Sequence, residues 1–320
     1  MSGLLSYLPN WHETFEQIKD AATSVRTVLE SNFTTSLVGS LAGAFGGAWA
    51  AQKIAEKSKL RDELMREIRQ TNAASSMVYG VANAHLGLKR QFVKELKDTY
   101  DKEQQKFANF LAQRASGAIP ANQPYVLSVD LQTIKPLLSP VTEIKELVFD
   151  RISLTGPSLL LVPVLLSSIQ ALTESMEGRN KLSDDWRASN PPNIVELYLG
   201  VPQGGVVDRR YQMLIESIYR QTDDVIAFST MIGEDLYGHA IELRKQLRNK
   251  CKVEGPLVST VDLSRFKDIM PPDSEYENFR TMYKDWKNAR PTKIPMLKRL
   301  FRKKTFGAEN VKGGGPKAAQ

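Results

Sequence analysis

Asp235 and His239 stand four residues apart, so any helix that carries both presents them on one face. Asp224 lies about three turns upstream, on a neighbouring face. An imidazole with carboxylates in reach is equipped for general acid–base catalysis, and the same spacing also makes a solvated ion pair on a helix surface. The chain offers little else of this kind. His12 and His85 have no second histidine or cysteine at metal-ligand spacing, so no metal site is expected and no cofactor is implied. Cys251 is the only cysteine, which excludes an intrachain disulfide, and no neighbouring residue marks it as an activated thiolate. The loop LGVPQGGVVDRR holds Gly200, Gly204 and Gly205 but lacks both the lysine–serine end of a phosphate-binding loop and the dinucleotide fingerprint. It reads as a turn before a helix. No serine sits in a nucleophile elbow. Asp224, Asp235 and His239 are therefore the candidate catalytic residues of a chain whose pattern is not that of an enzyme.

A clearer spacing serves association. Gly39, Gly43 and Gly47 form GxxxGxxxG, which lines three hydrogen side chains along one helix face and lets a second helix approach closely. Ser36, Ser40, Ala44 and Ala48 widen that small face, while Leu37, Val38, Leu41 and Phe45 lie mainly elsewhere. No charge occurs from Ser31 to Gln52, a length that matches the roughly 20 residues of a bilayer-spanning helix. Trp49 falls near the end of the run, where an indole suits the membrane interface. The rival reading is a tightly packed helix inside a soluble bundle, because Gly, Ala, Ser and Thr dominate the stretch.

Basic charge is concentrated at the other end. From Lys284 onward stand eleven basic residues against Asp285 and Glu309, a local balance of +9 within a chain of net charge +7. The rest of the protein is then slightly acidic, and the high isoelectric point belongs to the tail. Within it, Met296, Leu297, Leu300 and Phe301 group on one helix face, ringed by Lys298, Arg299, Arg302, Lys303 and Lys304. Such a segment suits anionic lipid. A short basic patch is poor grounds for nucleic acid, which is not the expected partner.

These features need elements to place them. The residues flanking the uncharged run set its orientation: Lys19 and Arg26 before it, Lys53, Lys57, Lys59 and Arg61 after it. The excess of positive charge on the far side places the C-terminal region in the cytoplasm. Apolar residues from Trp11 to Leu29 recur at helical spacing, and the first residues lack the basic leader of a secretory signal. From Lys53 to Arg114 the apolar period is again helical, with Gly80 and Gly87 marking a bend. A proline-bearing link follows at Gly117–Pro124, then Tyr125–Leu131 as a short strand or extended connector, then a short helix from Pro140 to Arg151. The second uncharged run, Ile152–Thr173, is broken by Pro157 and Pro163; Ser158–Leu172 suits a buried core helix that continues into the charged stretch TESMEGRNKLSDDW, with a second span over Ile152–Leu172 as the alternative. The last long helical pattern runs from Asp208, a suitable N-cap, to Cys251.

The expected fold is mainly α: an N-terminal single transmembrane helix followed by an antiparallel helical bundle. Its parts are an amphipathic segment over 1–31, the spanning helix over 32–52, a cytoplasmic helical domain over 53–283 and a basic tail over 284–320. The expected function is that of a membrane-anchored structural or interaction protein in the plasma or inner membrane. It would self-associate through the glycine face and present its cytoplasmic domain to a protein partner. The alternative is an oligomeric membrane effector or pore component, and after it an enzyme using Asp224, Asp235 and His239.

Overall fold

The computed structural model describes residues 19–20, 32–156, 158–202 and 205–288. The chain is mainly helical, and no β-strand occurs among the described residues. Helix α1 runs Asn32–Leu88 and passes through Gly80 and Gly87 without a break. A π-helical turn, Lys89–Val93, joins it to α2, Lys94–Ala115. The chain is then irregular until α3, Val141–Glu146, which ends in a second π-turn at Leu147–Arg151. Helix α4 spans Ser158–Ser189, α5 Ile194–Leu199, and α6 Arg210–Gln246, which closes in a third π-turn at Leu247–Cys251. Helix α7 covers Asp273–Asn288. Apart from Lys19 and Asp20, the expected amphipathic segment lies outside the described residues. So do the tail from 289 onward, with Lys298, Arg299, Arg302, Lys303 and Lys304, and also Gly204.

The described residues fall into two compact units. The first holds the chain up to Gly80, Pro140–Leu154 and Thr230–Asp262. Its core joins Leu64 and Ile68 of α1 to Leu243, Leu247 and Cys251 at the end of α6, flanked by Leu60, Met65, Val253 and Val258. Gly233 of α6 is packed directly under the Tyr79 ring. Farther along, His239 meets Glu67. Contacts thus descend α1 as they ascend α6, and the two helices run in opposite directions past each other. Lys252, in the left-handed conformation, ends the π-turn. The segment beyond returns along α1, where Asn72 Nδ2 donates to Leu257 O at 2.8 Å and the Tyr79 hydroxyl meets Thr260 Oγ1 at 3.3 Å.

The second unit holds Val81–Ser139, Thr155–Ser229 and the residues from Leu263 onward. Tyr100, Trp186, Tyr198 and Tyr211 form an aromatic cluster, with Tyr198 and Tyr211 ring centres 4.6 Å apart. Around it the segment expected as a short strand or extended connector has no regular secondary structure. Side chains hold it instead. The fully buried Arg179 donates to the carbonyls of Asp130 and Gln132, and Asn180 pairs with both the N–H and the C=O of Ile134. These bonds replace the partners a neighbouring strand would supply. The expected core helix is longer than its uncharged run, reaching Ser189 with Pro163 inside it. Its inner face buries Leu161, Val162, Leu165, Ile169, Leu172 and Met176. Among the described residues α4 is the one helix long and apolar enough to cross a membrane, and 33% of its apolar window is buried. Core helices of soluble proteins meet the same description. Helix α1, diluted by Gly, Ala, Ser and Thr, falls short of it in composition.

Candidate functional site

The uncharged N-terminal part of α1 stands out by what surrounds it. It is helical from Asn32, and every residue from Gly39 to Lys57 is exposed. A Cβ placed on Gly39, Gly43, Gly46 or Gly47 would meet nothing within 4 Å. Phe45 and Trp49 are 73% and 61% exposed, and Leu41 and Ile54 are also open. At 1.5 Å per residue this bare helix is about 28 Å long, close to the hydrocarbon thickness of a bilayer. Lys53 Nζ folds back over the Trp49 ring at 4.1 Å, so the first charge after the run shares its position with the aromatic residue. Among the described residues no bundle encloses this stretch. Burying large apolar side chains contributes roughly 1.5–3 kcal/mol each, which leaves Leu41, Phe45, Trp49 and Ile54 as a standing incentive for cover.

The acid–base candidates are divided between the two units. Asp224 belongs to the second and accepts a 2.8 Å hydrogen bond from the Tyr276 hydroxyl of α7. Burial, then the Asp224 carboxylate itself, pushes that hydroxyl far above the ordinary tyrosine range. Beside it Asp223 is buried against Lys89, Nζ to Oδ1 2.5 Å, with Lys89 also 4.9 Å from the centre of the Tyr219 ring. Burial pushes the Asp223 carboxyl up, and the bond from Lys89 opposes it. Asp235 and His239 belong to the first unit, each with partners of its own.

His239 reaches Glu67, and through it Ser153, neither of which helical spacing could have named. Its Nε2 lies 3.1 Å from Glu67 Oε1, and the same oxygen accepts from Ser153 Oγ at 2.5 Å and Ser153 N–H at 2.8 Å. Burial works to raise the Glu67 carboxyl, but the bonds from Ser153 and His239 outweigh it and hold the group below its ordinary value. Serine, histidine and glutamate are the members of a hydrolase triad, yet their order here is different. Nucleophilic catalysis needs the imidazole between hydroxyl and acid so that it can take the hydroxyl proton. Here the carboxylate stands in the middle, and Ser153 donates to it directly. The cluster is a clamp that ties α1, α6 and the segment after α3 together. The adjoining cleft, about 640 Å³, is lined by Glu63, Arg66, Glu67, Gln70, Asp150 and Arg151. Two guanidiniums against three carboxylates give it no dominant sign with which to select a charged substrate. Among the described residues no group of three or more histidine, cysteine or acidic side chains is arranged to hold a metal ion. Compared with known protein families, curated proteins and solved structures, the chain shows no match to any.

Proposed function

We propose that the protein is a membrane-anchored interaction protein. The anchor is the uncharged part of α1, residues 32–52, which associates through Gly39, Gly43 and Gly47 with a second copy of the chain. The observation that carries this reading is the bare helix itself: every residue from 39 to 57 is exposed, and a Cβ placed on its glycines meets nothing within 4 Å. A helix so rich in glycine is a marginal membrane segment alone. Pairing along the glycine face supports it, because close backbone approach adds van der Waals contact that lipid tails do not match. Helix α4, the more apolar of the two, uses its inner face in a protein core, and so fits the role of core helix better than that of a span. The basic residues after the run, Lys53, Lys57, Lys59 and Arg61, favour a cytoplasmic location for the region C-terminal to the anchor.

Alkaline carbonate extraction of membranes from expressing cells tests the reading, with the full chain compared with a variant carrying Leu41→Asp and Phe45→Asp. Both positions are exposed, so the variant keeps its folded core. The full chain stays in the pellet and the variant washes off. A full chain released by carbonate overturns the anchor.

A further inference from the structure

The end of α6 carries a second feature that neither the acid–base reading nor the glycine face uses. From Leu243 to Val253 the chain has five basic residues, Arg244, Lys245, Arg248, Lys250 and Lys252, and no acidic one. Leu243, Leu247 and Cys251 point into the core of the first unit, against Leu64 and Ile68 of α1. The basic residues occupy the rows beside that buried row and face outward; Lys245, Arg248, Lys250 and Lys252 are exposed. Arg244 pairs with Glu254 at 3.3 Å and Lys245 approaches Glu242 at 3.9 Å, but the Arg248 guanidinium has no carboxylate partner among the described residues. Arg244, Lys245 and Arg248 line a cleft of about 260 Å³ with Ile241 and Glu254.

Position along α1 gives this cluster its meaning. The core that holds the end of α6 begins at Leu60, eight residues after Gln52 closes the uncharged run. Eight residues of helix rise about 12 Å, of which the headgroup layer takes up roughly 5–7 Å, so the remaining gap is shorter than the Debye length of about 8 Å at physiological ionic strength. The exposed Lys53, Lys57 and Lys59 of α1 lie in between. Because α6 runs opposite to α1, its terminal π-turn is the part of α6 nearest the anchor. The left-handed Lys252 then turns the chain back, so that Leu257 and Thr260 lie beside Asn72 and Tyr79, far from the uncharged run.

Resting on the anchor proposed above, we infer that Arg244, Lys245, Arg248, Lys250 and Lys252 form a headgroup-binding collar. It docks the first unit onto anionic phospholipid at the surface from which α1 emerges. Basic residues near such a surface are attracted by its negative potential, and the attraction falls off within a Debye length. A free phosphate or an acidic protein presents the same charge in solution, but only a lipid surface is held at this distance by the chain itself. The collar fixes how the folded region stands on the membrane, instead of leaving it to swing on the exposed helix between Lys53 and Lys59.

The test uses the full chain in lipid nanodiscs with a fluorescent probe on Asn249→Cys, in a Cys251→Ser background, and nitroxide-labelled headgroups as quencher. A second probe on Ser259→Cys, at the far end of the same unit, is the control. Phosphatidylglycerol in phosphatidylcholine discs raises quenching at 249 but not at 259. The gain disappears with Arg248→Gln, Lys250→Gln and Lys252→Gln combined, and at about 1 M salt, where the Debye length is about 3 Å. Carbonate-resistant insertion with equal quenching at the two probes in anionic discs overturns the collar while leaving the anchor intact. A gain at 249 that survives the triple substitution or the salt also overturns it. Release by carbonate overturns both.

Discussion

Lys89 Nζ lies 2.5 Å from Asp223 Oδ1, and both side chains are almost wholly withdrawn from water. The lysine sits at the first position of the π-turn between α1 and α2, where the helix takes in an extra residue. Asp223→Ala would leave a buried ammonium with no counter-charge, and the expected cost is about 3–5 kcal/mol. Replacing both residues by apolar ones, Lys89→Met with Asp223→Leu, should restore most of that loss, since a buried ion pair and its apolar replacement are close in stability. Urea unfolding of the native chain and the two variants in detergent checks it. A double variant as unstable as the single one would show that the charges do more than satisfy each other.

Gly233 is required by the Tyr79 ring. A Cβ at that position would lie 2.6 Å from Tyr79 Cζ, inside van der Waals contact, and the ring is tied by its hydroxyl to Thr260. Gly233→Ala is expected to cost about 1–3 kcal/mol through overpacking. Tyr79→Leu added to it should return part of the loss, which thermal unfolding of the pair would read.

Glu67 makes the first unit sensitive to acid. Its folded pKa lies below the ordinary value despite burial, because Ser153 and His239 bond the anion. A lowered carboxylate contributes stability at pH above its unfolded value and loses it as pH falls through its folded one. Glu67→Gln keeps the shape but removes the charge, and should lower stability near neutral pH by about 1–2 kcal/mol. The two proteins should converge in acid, below the carboxylate range. Parallel stability–pH curves for the two would remove Glu67 from this role.

Gly43 occupies the middle of the glycine face with open space around it. Gly43 is exposed and a Cβ there meets nothing within 4 Å, so Gly43→Leu should leave folding unchanged. Self-association in detergent should fall to monomer, as read by sedimentation. An unchanged oligomer size would show that the glycine face is not where copies meet.

His239→Ala separates the two chemical readings of its cluster. As one arm of a clamp, its loss should lower stability by about 1 kcal/mol, the usual net worth of one hydrogen bond, and the bonds from Ser153 to Glu67 should persist. Denaturant titration measures the first effect. A loss as large as that of Glu67→Gln would mean that the histidine, not the carboxylate, is the hub.

The predominance of helix was legible in the sequence because the signal is local. Apolar positions three and four residues apart report which face of a segment is buried, and this placed helices over Lys53–Arg114 and Asp208–Cys251. The uncharged length of residues 32–52 and the glycine spacing are likewise read from neighbours along the chain. The core helix expected from Ser158 onward and into the charged stretch after its uncharged run is α4, Ser158–Ser189, in which the buried Arg179 has carbonyls to bond. Residues 125–131 looked like a strand because their side chains suit one. They serve as the connector that was the other expectation, with the Asp130 carbonyl accepting from Arg179 and Tyr211 and the Leu131 carbonyl from Arg187, on helices far along the chain.

The site chemistry was divided in the same way. Sequence alone named His239, Asp235 and Asp224, and it determined that the chain has one cysteine, no metal spacing, and an uncharged run flanked by basic residues. Tertiary structure alone decided that His239 meets Glu67, 172 positions away, that Ser153 shares the same oxygen, and that Asp224 is engaged by Tyr276. It also decided that, among the described residues, 39–57 are exposed while the more apolar run of α4 lines a core. The reason is physical: periodicity reports that a face is apolar, but whether protein or something else covers that face depends on contacts closed across long stretches of chain.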